Sequence, residues 1–316
     1  MQRYIAQRLL LLIPTLAILM TAVFGLVRLV PGDPVAILLS EQAFSTKWDH
    51  DQLQKQLGLD RTLPSQYGHW LGRLIHGDLG VSLYSRDPIG PAIVKRFKVT
   101  AEIAALAMLF SLLISAPVGI VAAVRANTIA DYLCRGASIV GLSVPSFFMG
   151  TAILVYGSIW LNWIPPIRFI PFTDNPLANL AQFALPAIIL GIHLAAVQMR
   201  MTRSALLEVL RQDYVRTARA KGLGFGPVIL RHALRNSLLP VITITGLQFG
   251  ALLGGTVIIE TIFNLPGLGI WMADAVRQRD YPVIQGVNLI FAVLVIGLNL
   301  IVDLSYGFVD PRIRYQ

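Results

Sequence analysis

Six runs of the chain, at about 9–30, 101–124, 135–161, 183–205, 238–263 and 283–307, are apolar for long enough to cross roughly 30 Å of hydrocarbon at about 1.5 Å per helical residue. That requirement narrows the fold more than any other feature: the chain reads as an all-α polytopic membrane protein with six transmembrane helices in a single domain, 1–316. Composition agrees, with 55% hydrophobic and 14% charged residues, where soluble domains carry about 45–50% and about 25%. The first run is longer than the usual apolar core of a signal peptide. Pro31-Gly32-Asp33-Pro34 follows it in place of a small-residue cleavage site, so it is expected to stay as an anchor.

Basic residues set the expected orientation. With the N-terminus inside, Arg3, Arg8, Arg125, Arg135, Arg200, Arg203, Arg211, Arg216, Arg219, Lys221, Arg231, Arg235, Arg312 and Arg314 fall on the cytoplasmic side. Against them only Arg28, Arg168, Arg277 and Arg279 fall outside, apart from those in the long 31–100 segment, which weighs little in this rule. Both termini are then cytoplasmic. The same distribution explains the net charge of +9 without nucleic acid, a partner the loop pattern argues against. The single cysteine, Cys134, excludes an internal disulfide and reads as packing.

The external segment 31–100 is too long for a bare connection. Tyr67, Trp70, Leu71, Leu74 and Ile75 have helical spacing, with an aromatic pair suited to the membrane interface, and Gly77-Asp78-Leu79-Gly80 reads as a turn. A second external loop, Asn162 to Gln182, is rich in proline and aromatics.

No energy-coupling or catalytic motif is visible. None of Lys47, Lys55, Lys95, Lys98 and Lys221 follows a glycine, so a phosphate-binding loop is absent. His50, His69, His76, His193 and His232 are scattered with no metal-binding pair, and there is no G-x-S-x-G elbow. The chain reads as a non-catalytic membrane subunit that binds no cofactor itself. His193, Glu260 and Asp303 are among the ionisable groups in or near the spans, where charge is costly and marks a pathway or a partner. Glu260 near a span end is read equally as an interhelical hydrogen-bonded carboxylate. Gly246, Gly250 and Gly254 recur every fourth residue and leave one helix face bare, for close packing or for a surface that moves during transport.

The most structured cytoplasmic stretch is 206–237. Its first helical piece is expected to run to about Lys221, with Leu207, Leu210, Tyr214 and Ala218 on one face and Asp213 placed to pair with Arg216 and Thr217. Gly222, Gly224 and Gly226-Pro227 stop and redirect the chain. Arg231, His232, Arg235 and Asn236 lead to Pro240, expected to open the fifth span. A solvated basic loop explains the charge but not this helix–turn–helix.

Here the sequence resembles the inner-membrane permease subunits of binding-protein-dependent ABC importers, in the dipeptide, oligopeptide and nickel branch. The general family motif is E-A-A-x3-G-x9-I-x-L-P. This chain keeps Ala218 and Gly222 but has Arg216 for Glu, Thr217 for Ala and His232 at the Ile position, and it reaches Pro240 five residues late. Those departures match the branch's own form, Asp213-Tyr214-Val215-Arg216-Thr217-Ala218-Arg219-Ala220-Lys221-Gly222, then His232 to Asn236 and Leu239-Pro240. The likeness extends through Leu29-Val30-Pro31-Gly32-Asp33-Pro34, Ser143-Val144-Pro145-Ser146-Phe147, Phe263-Asn264-Leu265-Pro266-Gly267-Leu268-Gly269, Arg279-Asp280-Tyr281-Pro282 and Asp310-Pro311-Arg312-Ile313-Arg314-Tyr315.

The resemblance implies a type I ABC importer-like permease fold in a bacterial inner membrane, with a cytoplasmic coupling helix docked on two separate ABC ATPase subunits that bind ATP and Mg. It also implies a second homologous permease, forming a heterodimer, and an extracytoplasmic solute-binding protein delivering a peptide, glutathione or nickel chelate. The competing class is a proton-coupled secondary carrier using His193, Glu260 and Asp303, which needs no docking helix and for which no internal repeat is detectable. A membrane enzyme lacks a catalytic constellation.

Overall fold

The computed structural model describes residues 2–29, 35, 36, 39, 50–56, 58–166 and 168–309. The motifs at 30–34 and 310–315 lie outside them, as do Arg312 and Arg314. Within the described residues, the helices of seven residues or more are α1 (Gln2–Leu29), α2 (His50–Gln56), α3 (Leu63–Ile75), α4 (Ile89–Val124), α5 (Ile129–Ser143), α6 (Ser146–Leu161), α7 (Pro176–Leu210), α8 (Asp213–Ala220), α9 (Leu234–Ile262), α10 (Leu268–Gln278) and α11 (Tyr281–Val309). Among the described residues, an isolated antiparallel bridge between Val81 and Pro88 is the only strand-like pairing. Helix is what apolar segments of this length require, because hydrocarbon offers no partner for a free N–H or C=O.

Among the described residues, five helices are individually long and apolar enough to cross a membrane, and a sixth crossing exists if α5 and α6 are counted together. The expected third span, 135–161, is therefore not a straight helix. It bends by 86° between Ser143 and Ser146. Proline at 145 disfavours helical geometry at the residue before it, and Val144 is extended at φ −94°, ψ 114°.

Two other expectations shift. Helix α4 starts at Ile89, well before 101, and its 36 residues span about 54 Å, more than the hydrocarbon thickness. Pro240 lies inside α9 and does not open it; a π-helical turn, Val228–Ala233, precedes Leu234. Transmembrane helices tolerate such prolines where neighbouring groups re-satisfy the backbone, and α1, α4 and α7 carry Pro14, Pro117 and Pro186 in the same way.

The chain divides into two compact units. The first contains Thr100–Leu265 and the chain from Val295 onward. Its core helix is α7, where Phe183, Ile189, Leu190, Leu194, Met199 and Leu206 are among many buried residues. Close approach to α4 depends on two glycines: a Cβ at Gly191 would sit 2.8 Å from Phe110, and one at Gly119 would sit 2.8 Å from Thr202. Between those points Gln198, fully buried, accepts through Oε1 from the Ser111 hydroxyl at 3.0 Å and the Ser115 hydroxyl at 3.1 Å. Burial without such partners would be costly for an amide.

The second unit contains Ile5–Val99 and Pro266–Leu294. One apolar cluster joins Val27, Ile89, Ile93, Leu268, Tyr281, Val283 and Val287. Another gathers Met20 and Phe24 of α1 around Trp70 of α3, with Tyr67 edge-on to Phe24 at 5.0 Å. The aromatic spacing in α3 therefore makes a core contact, while Ile75 stays exposed. The turn after it forms as expected, with Gly77 and Gly80 at positive φ and Gly80 N–H donating to Asp78 Oδ1. Asp280 caps α11, accepting from Val283 N–H and also from Leu83 N–H and the Ser82 hydroxyl. That triple role accounts for the acid in Arg279-Asp280-Tyr281-Pro282.

Candidate functional site

The basic stretch 213–222 forms a helix of its own. Helix α7 ends at Leu210, and Gln212 is extended (φ −71°, ψ 148°), so the expected continuous piece to Lys221 is two helices. The buried face moves accordingly. Val215 and Ala218 point inward and pack with Val228, flanked by Val209 and Leu210, whereas Tyr214 is exposed. Leu207 belongs to a neighbouring cluster with Ala123, Leu206 and Ala233. A change of register at Arg211-Gln212 leaves Leu207, Leu210 and Ala218 on packed faces as the spacing implies, but turns Tyr214 outward.

The end of α8 is a complete Schellman cap. Gly222 N–H donates to Arg219 O at 2.9 Å and Leu223 N–H to Ala218 O at 3.3 Å, with Gly222 at φ 81°. At the start, Asp213 Oδ1 lies 3.4 Å from Arg216 Nη1, an exposed pair of small energetic weight. Thr217 does not pair with that carboxylate; its hydroxyl donates to the Asp213 carbonyl at 2.9 Å. Tyr214 and Asn236 meet across the turn: Asn236 Nδ2 donates to the Tyr214 hydroxyl at 2.7 Å, and to His232 O at 3.4 Å. His232 thus contributes its carbonyl, and Asn236 is the residue that ties α9 back to α8.

What remains is an outward surface. Arg216, Thr217, Arg219, Ala220 and Lys221 are exposed, and so are the apolar Leu223 and Phe225 beyond the cap. The Arg219 guanidinium lies 5.9 Å from the Phe225 ring centroid. A short helix locked at its C-terminus, seated by two apolar side chains and presenting cations beside apolar groups can transmit force as a rigid body. The seat, Val215 and Val228, was not legible as a functional pair; the only sequence signal was a β-branched residue within a polar run.

The pathway candidates are dispersed. Gly246 is packed so closely that a Cβ would lie 2.1 Å from Val302 Cγ2. At Gly250 the nearest atom, on Val295, is 3.6 Å away, and at Gly254 nothing lies within 4 Å. One end of the stripe is thus a tight contact within the chain, and the other is open. Glu260 is fully buried and accepts from the Thr100 hydroxyl at 2.7 Å, joining α9 to α4. His193 is exposed on α7, and Asp303 is half-buried on α11. Gln248, buried on α9, donates to Leu194 O at 3.3 Å while its Oε1 has no partner among the described residues. Among those residues no three His, Cys, Asp or Glu side chains gather into a metal site.

Residues 115–315 match the family described as binding-protein-dependent transport system inner membrane component, and residues 1–104 match the N-terminal part of such membrane components. The chain is 43% identical to the dipeptide transport system permease protein DppB of Escherichia coli K12 over 339 aligned residues, covering 100% of both chains. It is 41% identical to the glutathione transport system permease protein GsiC of Pectobacterium atrosepticum over 316 residues, again covering 100% of both. Among solved structures, the inward-facing MetNI methionine ABC transporter matches with a TM-score of 0.57 at 16% identity, over 71% of this chain and 99% of that one. An amino acid ABC transporter matches at TM-score 0.53 and 13% identity, over 68% and 92%. Both support the fold of an importer permease.

Proposed function

The chain belongs to the family of binding-protein-dependent transport system inner membrane components, and from that premise we propose that it is the permease subunit of an ATP-driven peptide importer in which α8 is the lever. The observation that carries the coupling role is the Schellman-capped α8, seated on Val228 through Val215 and Ala218, with Arg216, Arg219 and Lys221 turned outward. A flexible loop would absorb a partner's displacement; a capped helix joined to α9 through Tyr214 and Asn236 passes it into the spans. The partner is an ABC ATPase that binds ATP and Mg, and two copies of such a subunit serve the transporter. Both termini face the same compartment as that ATPase, by the charge asymmetry of the short loops.

A second, non-identical permease completes the pathway, and an external binding protein supplies the solute. Peptides of two or three residues, and glutathione, are the solute class, because full-length relatives carry those names. The pathway itself lies along α9 and α7, where Gln248 keeps an unfilled acceptor and the glycine stripe opens at Gly254. For the carrier reading, Glu260 would have to exchange protons, and its burial against Thr100 favours a structural hydrogen bond.

A cysteine-crosslinking experiment tests the lever. In a Cys134→Ser background, Thr217→Cys with a short bifunctional reagent is expected to trap the ATPase subunit, with a yield that changes on adding ATP. Labelling of the same cysteine by an impermeant reagent only from the outer face would overturn both the docking role and the orientation.

A further inference from the structure

The second unit holds a pocket that the transport reading does not use. Its cavity of about 260 Å³ is floored by buried Tyr281 and Gln285 at the start of α11, and walled by half-buried Arg28 at the end of α1. Lys55, Arg61 and Arg73 stand on its exposed rim. No acidic side chain lines it among the described residues.

Two features show that this pocket is arranged for an anion. Gln66 donates through Nε2 to Leu59 O and Arg61 O, which fixes its Oε1 toward Arg28; the guanidinium then donates Nε and Nη2 to that oxygen at 3.2 and 3.0 Å. Its Nη1 also donates to Phe24 O at 3.2 Å, so the fork is held in place before any ligand arrives, and only the remaining Nη1 and Nη2 hydrogens are available to a planar or tetrahedral oxyanion. Independently, Gln285 is 3% exposed and its Nε2 has no hydrogen-bond partner among the described residues. A buried donor without a partner is costly, and an acceptor in this cavity would relieve that cost.

A neighbouring apolar groove identifies the source of the anion. It too measures about 260 Å³, shares Tyr281 with the basic pocket, and is walled by Leu26 and Val27 of α1, Val276 of α10 and Ile284 of α11. Each space alone is below the roughly 300–1,000 Å³ that takes a whole small molecule. Arg28 and Gln285 stand where two apolar helices end and begin, the depth at which headgroups lie and basic side chains contact them. We propose that this unit binds an anionic phospholipid, with the phosphate among Arg28, Arg61, Arg73 and Gln285 and the start of an acyl chain in the groove beside Tyr281. A zwitterionic headgroup places its ammonium in a site without a carboxylate among the described residues and is disfavoured.

The test is thermal unfolding of the full chain in neutral detergent, titrated separately with short-chain phosphatidylglycerol, short-chain phosphatidylcholine and inorganic phosphate. Phosphatidylglycerol is expected to raise the unfolding temperature, and Arg73→Gln or Gln285→Leu to weaken its apparent affinity by about tenfold or more, as loss of a charge-assisted bond implies. Gln285→Leu removes the unpartnered amide, so without lipid it is expected to be at least as stable as the parent. An equal response to phosphatidylcholine overturns the proposal in favour of ordinary annular lipid. A response to inorganic phosphate as strong as to the lipid overturns the lipid source. Unchanged lipid affinity in both variants overturns the site.

Discussion

The Arg203 guanidinium holds the Asp131 carboxylate at two points, Nε to Oδ1 at 2.7 Å and Nη2 to Oδ2 at 2.8 Å. This fork joins α7 to the first turn of α5 across 72 residues of sequence. Asp131 is fully buried, accepts further from Asn127 N–H at 2.9 Å, and has Arg135 Nε at 3.6 Å. Removing one partner of such a pair leaves the other charge stranded, which costs about 3–5 kcal/mol. Asp131→Ala is therefore expected to lower the unfolding temperature sharply. Arg203→Lys, which keeps the charge but cannot fork, is expected to fall between it and the parent. Thermal unfolding in detergent checks the order; an Asp131→Ala protein as stable as the parent would show that the fork carries no net stability.

Gly222 makes a graded prediction. A side chain there meets nothing within 4 Å, so any penalty comes from its φ of 81° alone. Left-handed geometry costs most residues about 1–2 kcal/mol, and asparagine less. Gly222→Asn is expected to keep uptake near the parent level, Gly222→Ala to reduce it, and Gly222→Val to leave an inserted protein whose ATPase partner hydrolyses without transport. ATPase and uptake assays in proteoliposomes read the ratio. Full coupling in the valine variant would remove the cap from the mechanism.

The glycine stripe on α9 is expected to respond unevenly. A methyl group at Gly246 would collide with Val302, and overpacking of this kind costs about 1–3 kcal/mol. Gly246→Ala should destabilise, and Val302→Ala in the same protein should recover part of the loss, since the two residues share one contact. Gly254→Ala should be silent in the isolated chain because its face is open. Unfolding temperatures of the two alanine variants settle the contrast: equal losses would mean that the stripe acts as a unit.

These residues also show what a sequence can and cannot carry. Gly222 was legible because a glycine after a short helical run has one dominant use, and α8 ends there. The bend at Val144-Pro145 follows from the rule for residues preceding proline, yet the apolar pattern on both sides ran through it as one span. Periodicity failed at Tyr214 because it assumes an unbroken helix, and Arg211-Gln212 breaks it. Asp131 and Arg203 carry no local signal, since their pairing depends on which helices lie together. The same holds for the basic pocket, whose members come from α1, α2 and the turn after it, α3, Leu83 and α11.

Glu260 separates the two transport classes directly. It is buried and accepts the Thr100 hydroxyl at 2.7 Å, a role that a glutamine carbonyl can also fill. If the carboxyl group serves packing, Glu260→Gln should keep at least about half of the parent uptake, since the amide oxygen can accept the same hydrogen bond. If it relays protons, the same variant should abolish uptake, because an amide cannot take up and release a proton in this range. Uptake measured with and without an uncoupler, at fixed ATP, distinguishes the cases. Retained, uncoupler-insensitive uptake is the result expected if, as proposed, energy enters through α8 at the exposed surface of Arg216, Arg219 and Lys221.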